Sequence, residues 1–465
     1  MFVKQYYVKG LAHVSYLLGG KGECAIIDPR RDVQEYIDDA KDMGYKITHI
    51  LETHLHADFI SGHMELVKKT GAKIIAPKAS NCKFPHDAVS DGDEFLIEHL
   101  KFRVISTPGH TPDGVCYLVT DTSRGEEPCG LFSGDTLFVG DVGRPDLFPG
   151  MADELAEKLF GSLKKLMELP DFVEVYPAHG AGSLCGKAMS AKRTSTIGYE
   201  RRYNKSLKPS KLEDFKKFLL SEMPAAPDHF SRCSATNGAG PTLTEELPPV
   251  KAMSPEEFNK AIEKGCLVLD TRSVAAFGGQ HIPGSVHNPI TGNFQTFGGW
   301  ILPVDRSLLL VVETKEDLCN TITQLRRVGL DKVEGWLDGG LQKWATAGLP
   351  VESIKQISVH EVKEMCNRQD FTLLDVRAKG EFQNFHIEGA LHMAAPDTRT
   401  GYKDITKEPV ICICSTGQRS SMAASILKVK GIKNVAHIPG GVTAWAAAGF
   451  TETCPVCQNV HGPKI

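Results

Sequence analysis

The sequence lacks the features that define several broad classes of protein. None of the apolar runs in its 465 residues reaches the roughly 18–20 residues needed to cross a bilayer. It has no basic surplus, since 53 Lys and Arg face 57 Asp and Glu and leave a net charge of −4, so nothing favours binding to nucleic acid. The N-terminus lacks the basic start, apolar core and small-residue cleavage site of a secretory signal.

The cysteines also lack the pattern of a disulfide framework. There are 13 of them, an odd number, scattered along the chain. We therefore expect a reducing, cytoplasmic environment in which a few thiols have chemical roles. The chain is 41% apolar and 24% charged, which excludes a mostly disordered or fibrous protein. The net charge and the lack of long apolar runs favour neither nucleic acid nor a membrane as a partner, and a homo-oligomer stays open.

At roughly 150 residues per domain, the length predicts about three domains. Residues 1–205 alternate short apolar runs with amphipathic helices, which predicts a layered α/β domain. Residues 206–253 begin with a predicted helix at 211–220 and then become rich in Pro and Gly. This composition predicts an extended connector, although a belt packed on the surface fits equally well.

An internal repeat follows the connector. Leu269–Arg272 matches Leu374–Arg377 at an offset of 105 residues, and Gly339 matches Gly440 at an offset of 101. Matching features in one order indicate two copies of one α/β unit. We place the copies at 254–350 and 354–450, followed by a tail at 451–465.

Several metal-binding residue types follow predicted strands or lie in Gly-bearing loops of the first domain. His54, His56 and Asp58 alternate after one strand, so that they can converge on one point. His110, Asp135 and His179 each follow in a later loop. Six such residues in this order predict a metal centre.

These motifs resemble the metallo-β-lactamase fold, an αββα sandwich, over residues 1–205. Phe59 stands where many two-metal members carry a His, which implies that a second metal site has lost a partner, although some relatives with one iron retain that His. The resemblance implies one Fe(II) per chain, bound by His54, His110 and Asp135, the two-imidazole, one-carboxylate set of non-haem iron enzymes. His56, Asp58 and His179 would then support the ligands by hydrogen bonds.

The loop after Asp135 resembles that of the persulfide dioxygenases of this fold. The similarity rests on the segment Gly140–Asp146 and implies that Arg144 contacts the substrate. Cys185 follows His179 closely and could carry sulfur near the substrate channel. A small buried thiol under a tight loop is the alternative that stays open.

The second repeat copy contains a cysteine between an apolar run and a predicted helix. A loop of inward-pointing N–H groups above a helix N-terminus binds anions and lowers the pKa of a thiol at its base. Cys414 and the residues after it resemble the active-site loop of the rhodanese family, which implies a catalytic Cys414. The implied substrate-binding residues are Ser415, Thr416, Gly417, Gln418 and Arg419. Cysteine phosphatases of the same fold carry one more residue in the loop, so sulfur transfer is favoured here.

The first copy lacks a nucleophile at the matching position. Alignment through Gly339 and Gly440 places Glu313 opposite Cys414, and Cys319 falls in a predicted helix. We expect this copy to be inactive and to serve as a spacer or docking surface. The tail pair Cys454 and Cys457, with His461, offers fewer than four zinc ligands. The tail could lack chemistry, relay sulfur or contact a metal.

The order of the domains resembles the CstB-type persulfide dioxygenase–sulfurtransferases. The resemblance implies a cytoplasmic enzyme of sulfide oxidation that oxidises low-molecular-weight persulfides with O₂ to sulfite. Cys414 would transfer sulfane sulfur to sulfite and form thiosulfate. A glyoxalase-II-like thioesterase with two metals, fused to a sulfurtransferase, is the alternative enzyme. A sulfur carrier in which only Cys414 matters is the third hypothesis, and the thiol of the persulfide stays open.

Overall fold

The computed structural model describes residues 1–221, 223, 225–366 and 370–451. They form two compact units, the first from residues 1–247 with 326–329 and the second from residues 248–325 and from 330 onward. The tail residues Cys454, Cys457 and His461 lie outside the described residues, so their roles stay predictions. Within the described residues, every helix is too short or too polar to cross a bilayer.

The first unit contains two six-stranded sheets. In the first sheet the strands lie in chain order, and pairing changes from antiparallel to parallel after the third strand. Its strands are β1 Phe2–Val8, β2 His13–Gly19, β3 Glu23–Ile27, β4 Lys46–Leu51, β5 Lys73–Pro77 and β6 Asp87–Val89. In the second sheet pairing is antiparallel except between the fourth and fifth strands. Its strands are β7 Glu94–Ile97, β8 Leu100–Ser106, β9 Val115–Asp121, β10 Gly130–Gly134, β11 Glu174–Pro177 and β12 Ser195–Thr196.

Helices cover the outer faces of both sheets. The helices are α1 Gln34–Asp42, α2 His63–Thr70, α3 Ala152–Leu166, α4 Ile197–Tyr203, α5 Leu212–Leu220 and α6 His229–Ala239. Side chains of α1 and α2 form a core with the first sheet, and those of α3 and α5 form one with the second. A third core, which includes Tyr16, Phe102 and Phe132, fills the space between the sheets. This αββα arrangement is the fold class predicted from the sequence, which is confirmed.

Helix α6 lies in the segment that the Pro and Gly content predicted to be extended. Ser, Thr, Asn and Gly give it a low intrinsic helix propensity. Phe230, Cys233 and Asn237 recur at helical spacing and are buried on one face. Tertiary packing therefore stabilises a helix that local composition does not favour, and residues 206–247 of the segment belong to the first unit.

The second unit contains two five-stranded parallel sheets of identical strand order. Numbered within each copy, the order is 1-5-4-2-3. The strands of the first copy are β13 Lys251–Met253, β14 Leu267–Asp270, β15 Val286–His287, β16 Leu308–Val311 and β17 Val333–Leu337. Those of the second are β18 Lys355–Gln356, β19 Thr372–Asp375, β20 Leu391–His392, β21 Val410–Ile413 and β22 Val435–His437.

The helices of the two copies also correspond. Those of the first copy are α7 Pro255–Glu263, α8 Val274–Gly279, α9 Phe294–Ile301, α10 Lys315–Arg327 and α11 Gly340–Thr346. Those of the second are α12 Val359–Met365, α13 Lys379–Asn384, α14 Thr398–Gly401, α15 Gln418–Val429 and α16 Gly441–Ala447. The repeated Asp-x-Arg motif fixes the same turn in each copy. Asp270 accepts hydrogen bonds from the backbone and guanidinium of Arg272, and Asp375 does the same for Arg377.

The sheet register corrects the alignment of the copies by one residue. Asp270 pairs with Val311 and the equivalent Asp375 with Ile413, so Val312 matches Cys414 and Glu313 follows it. The prediction that Glu313 is the residue equivalent to Cys414 is wrong because the offset between the copies changes along the chain and is 102 residues at this point. The position still holds no thiol. Cys319 lies in α10, as its spacing predicted.

Candidate active sites

Three side chains in the first unit turn unpaired atoms toward one another. His54 follows β4, His110 follows β8 and Asp135 follows β10. Their ligand atoms lie within 4.8 Å of one another, and all three residues are buried. His54 Nε2, His110 Nε2 and Asp135 Oδ2 are buried without a hydrogen-bond partner. A metal ion bound by all three would satisfy atoms that are otherwise costly to bury.

The hydrogen bonds of the two histidines leave lone pairs on these nitrogens. Thr53 Oγ1 donates to Asp28 Oδ2 at 2.9 Å and therefore accepts from His54 Nδ1 at 2.9 Å. His110 Nδ1 donates to the Arg144 carbonyl at 2.9 Å. With each proton on Nδ1, each Nε2 is an acceptor. Burial, reinforced at His54 by His56, lowers the pKa of His54 to about 3, and burial lowers that of His110, so both rings are neutral.

His179 lies between two carboxylates and is held in its charged form. Its Nδ1 donates to Asp135 Oδ1 at 2.7 Å and its Nε2 to Asp58 Oδ2 at 2.9 Å. Burial disfavours the charge, but Asp135 and Asp58 outweigh burial and raise the pKa of His179 well above its usual value. The imidazolium also holds the pKa of the buried Asp135 carboxyl well below its usual range. Both nitrogens of His179 therefore carry protons.

His56 also lies beside two carboxylates. Its Nε2 lies 3.0 Å from Asp28 Oδ1 and 3.7 Å from Glu52 Oε2. Burial opposes protonation, but the Asp28 carboxylate outweighs it and raises the pKa of His56 to about 9. The Phe59 ring packs on His56 at a centroid distance of 4.5 Å and on His13 at 4.0 Å. A side chain that cannot bind a metal, Phe59, therefore lies beside His56.

The structure places Arg144 and Cys185 beside this centre. The Arg144 guanidinium is buried and forms a two-bond ion pair with Asp146, at 2.7 and 2.8 Å, and a bond to the Leu184 carbonyl. The Cys185 sulfur lies within 4.8 Å of ligand atoms of Asp58 and His179. Burial raises the pKa of the Cys185 thiol well above its usual value. Substrate contact by Arg144 and sulfur relay by Cys185 stay predictions.

Sequence reasoning missed Asn237, which binds the backbone of the metal-binding loop. Its Nδ2 donates to the carbonyls of His56 at 2.9 Å and Phe59 at 2.8 Å. Its Oδ1 accepts from the Ser61 amide at 2.9 Å. The residue lies about 180 positions further along the chain, and a lone Asn in a Ser- and Gly-rich segment offers no local signal.

The second site surrounds Cys414 at the end of β21. Gly417 N donates to the Cys414 sulfur at 3.1 Å, and α15 begins at the next residue. Gly417 has a φ of 106°, a conformation that favours glycine. Gly441 approaches so closely that an added Cβ would lie 2.0 Å from the Cys414 carbonyl oxygen. A Cβ added at Gly340, the equivalent glycine of the first copy, would lie in open space. The loop between β16 and α10 is one residue shorter than the Cys414 loop between β21 and α15 and does not reach that glycine.

A salt bridge orders the Cys414 loop. Arg419 donates to both carboxylate oxygens of Glu381 at 2.6 and 2.8 Å, and to Ser415 Oγ at 2.6 Å. Ser415 in turn donates to Glu381 at 3.0 Å. Burial favours a neutral Glu381, but Arg419 outweighs it and lowers the pKa of Glu381 to about 2. Glu381 therefore binds the first and the last of the loop residues predicted to bind substrate, Ser415 and Arg419.

Both repeat copies form the pocket at Cys414. A cavity of about 310 Å³ is lined by Cys414, Thr416, Gln418 and Arg419 of the second copy and by Asn288, Thr291, Phe294 and Phe297 of the first. Gln418 Nε2 donates to Thr291 Oγ1 at 2.9 Å. His287 accepts from Ser421 on α15 at 2.8 Å and donates its amide to Ser425 at 2.9 Å. The sequence analysis did not predict these contributions from the first copy.

Two family models match the chain. Residues 8–179 match the metallo-beta-lactamase superfamily, and residues 254–347 and 358–448 each match the rhodanese-like domain. A metallo-beta-lactamase structure from Staphylococcus aureus is 35% identical, with a TM-score of 0.65, over 72% of this chain and 98% of that one. The structure of ETHE1 from Myxococcus xanthus is 27% identical, with a TM-score of 0.45, over 51% of this chain and 99% of that one.

Part of the chain is also similar to hydroxyacylglutathione hydrolases. A hydroxyacylglutathione hydrolase from Rhodospirillum rubrum is 37% identical over 160 residues, which is 34% of this chain. The match spans 57% of that protein, and matches to its counterparts in Brucella species span about half of theirs. The sequence similarity to these hydrolases therefore concerns part of each protein.

Proposed function

We propose that this chain, which belongs to the metallo-β-lactamase superfamily and carries two rhodanese-like domains, is a persulfide dioxygenase and sulfurtransferase. The net reaction at the metal centre is RSSH + O₂ + H₂O → RSH + SO₃²⁻ + 2H⁺. At the second site the Cys414 thiol takes the outer sulfur of another RSSH and releases RSH. Sulfite then removes that sulfur as thiosulfate and regenerates the thiol.

The observation that carries the proposal is the division of the histidines into two groups. His54 and His110, with Asp135, turn atoms without a hydrogen-bond partner toward one another, whereas nearby carboxylates raise the pKa of His56 and of His179 and so disfavour the lone pair that a metal needs. His56 Nε2 also has no hydrogen-bond partner, but it lies 3.0 Å from Asp28 Oδ1 in an ion pair. Phe59 adds no donor beside them. This arrangement favours one metal over two. Fe(II) on two imidazoles and one carboxylate keeps open positions and supplies redox chemistry with O₂.

The protein's own groups support the reaction around that ion. His179 holds Asp135 ionised, and the proton on each Nδ1 of His54 and His110 keeps Nε2 free to bind. At the second site, the Gly417 amide and the N-terminus of α15 favour negative charge on the Cys414 sulfur. One chain holds both sites, which raises the effective concentration of sulfite at the acceptor reaction.

Metal analysis and oxygen uptake test the dioxygenase proposal. We expect one iron per chain and O₂ uptake with organic persulfides. Asp135→Ala should remove both the metal and the uptake. Asp58→Asn should retain the single metal, because Asp58 binds His179 in this proposal. Two metals per chain, one of them lost in Asp58→Asn, would overturn the proposal.

Product analysis tests the role of Cys414. Cys414→Ser should leave O₂ uptake intact but change the product from thiosulfate to sulfite. Cys319→Ser, at an exposed thiol of α10, is the matched control and should behave as the parent protein. An unchanged thiosulfate yield in Cys414→Ser would refute the transfer step.

The similarity to hydroxyacylglutathione hydrolases favours a second candidate, a two-metal thioesterase fused to a sulfurtransferase. Asp58, His179 and Cys185 form a further buried group of donors that could hold a second ion after loss of the His179 protons. Hydrolysis of a hydroxyacylglutathione thioester by the zinc-loaded protein, with no O₂ uptake on persulfides, would favour this candidate.

A further inference from the structure

A cavity of about 530 Å³ lies in the first unit beside the loop that carries His54 and Asp58. Its volume is within the range of ligand pockets, roughly 300–1,000 Å³. The lining is mainly apolar and includes Leu55, Ala57, Leu147, Phe148, Phe230 and Ala235. Lys83 is its charged residue, and Ser80 and Ser234 add hydroxyl groups.

Residues of the cavity wall pack against Cys185, which lies beside Asp58 and His179. Ala57 and Phe230 pack in one apolar cluster with Cys185, and Leu147 packs against that cluster. The Cys185 sulfur lies within 4.8 Å of ligand atoms of Asp58 and His179. Helix α6 contributes Phe230 and Ala235 to the cavity, while its Asn237 binds the carbonyls of His56 and Phe59. The same helix therefore forms the cavity wall and holds the metal-binding loop.

We propose that this cavity binds the carbon body of the organic persulfide whose outer sulfur reacts at the metal centre. The inference rests on the proposed function and specifies its substrate class. The volume exceeds what cysteine persulfide needs, and the lining favours an extended, mainly apolar thiol. Lys83, the charged residue of the lining, favours a thiol that also carries an anionic group.

A cavity-filling substitution tests the site. Ala235 is an exposed residue of α6, so Ala235→Trp fills space without disturbing the buried face of the helix. We expect it to raise the KM for pantetheine persulfide at least tenfold and to leave the KM for cysteine persulfide within twofold. Ala79→Trp, the same substitution at an exposed alanine outside the lining, is the matched control and should leave both KM values unchanged. An unchanged KM for pantetheine persulfide in Ala235→Trp would overturn the inference.

A charge substitution tests the anionic end group. The parent protein should prefer phosphopantetheine persulfide to pantetheine persulfide by several-fold in KM. Lys83→Gln should abolish that preference, whereas Lys78→Gln, at a nearby exposed lysine outside the lining, should retain it. A preference that survives in Lys83→Gln would refute the assignment of Lys83.

Binding without turnover separates the cavity from the proposed reaction. Calorimetric titration with pantetheine, without O₂, should show binding to the parent protein and at least tenfold weaker binding to Ala235→Trp. Iron content and sulfur transfer by Cys414 should be unchanged in the variant, which confirms that it folds. Absence of O₂ uptake with every persulfide would refute the proposed function, whereas equal pantetheine binding by both proteins would refute the cavity.

Discussion

Removal of the Asn237 side chain should lower the metal affinity of the site, although Asn237 is not one of the candidate metal ligands. In Asn237→Ala the carbonyls of His56 and Phe59 each lose a donor, and the Ser61 amide loses its acceptor. A buried hydrogen bond contributes about 1 kcal/mol net, and an unpaired buried group costs roughly 1–3 kcal/mol. We therefore expect the free energy of unfolding to fall by about 3 kcal/mol. The loop that carries His54 and Asp58 also loses its attachment to α6.

The loss of metal affinity should follow from this loosened loop. Outer groups that orient metal ligands typically contribute 10–100-fold in affinity, and each tenfold step corresponds to about 1.4 kcal/mol. If roughly half of the lost unfolding free energy, about 1.4 kcal/mol, comes from the ordering of the metal-binding loop, metal affinity falls about tenfold. Metal retained at equilibrium with a chelator of known affinity measures this change, and urea unfolding of the metal-free protein measures stability.

Asn204→Ala is the matched control for this experiment. Asn204 is buried and also forms two bonds through its amide nitrogen and one through its oxygen, but to Asp141, Glu200 and Ser206. Its removal should lower the free energy of unfolding by a similar amount. Metal affinity should fall further in Asn237→Ala than in Asn204→Ala. Equal metal loss in the two variants would refute a specific role of Asn237 in positioning the loop.

Two further predictions concern the second unit. Glu381→Gln should lower the sulfur-transfer rate at least tenfold, since Arg419 and Ser415 lose the carboxylate that orders the loop, and the thiosulfate:cyanide assay checks this. A parental rate would show that the salt bridge is dispensable. Burial lowers the pKa of His287 to about 4, so the unfolded state binds the proton first as pH falls below about 6.5. His287 should therefore reduce stability by about 2 kcal/mol between pH 8 and pH 5, and His287→Gln should remove that part of the pH dependence in chemical unfolding; an unaltered dependence would contradict it.

The candidate metal-binding group could be predicted because the fold places strand ends together. His54, His110 and Asp135 each follow a strand, and a local motif marks each one. The protonation of His56 and His179 could not be predicted, because it depends on Asp28, Glu52 and Asp58 approaching them in the folded core. A sequence pattern identifies residues that can bind a metal. The carboxylates nearby in the fold determine which histidines are neutral and keep a lone pair for the metal.

The repeat predicted two units of one fold, yet spacing alone misplaced the residue that matches Cys414. The repeated motifs match at an offset of 105 residues early in the copies and 101 late in them, and the sequence does not show where the offset changes. Sheet pairing shows directly that Val312 is the residue equivalent to Cys414. Helix α6 was missed for another reason. Its residues favour turns in isolation, and burial of one face stabilises the helix only once the first unit has formed.

The pocket around Cys414 gives the first copy a structural role, although that copy lacks a nucleophile. Phe294 and Phe297 of the first copy form one wall of the cavity, and Thr291 holds Gln418, which begins α15. His287 binds two serines of the same helix. Because α15 presents its N-terminus to the Cys414 loop, contacts that fix this helix also fix the groups that favour negative charge on sulfur. The first copy therefore acts on the Cys414 site through packing and hydrogen bonds, which need no thiol of its own.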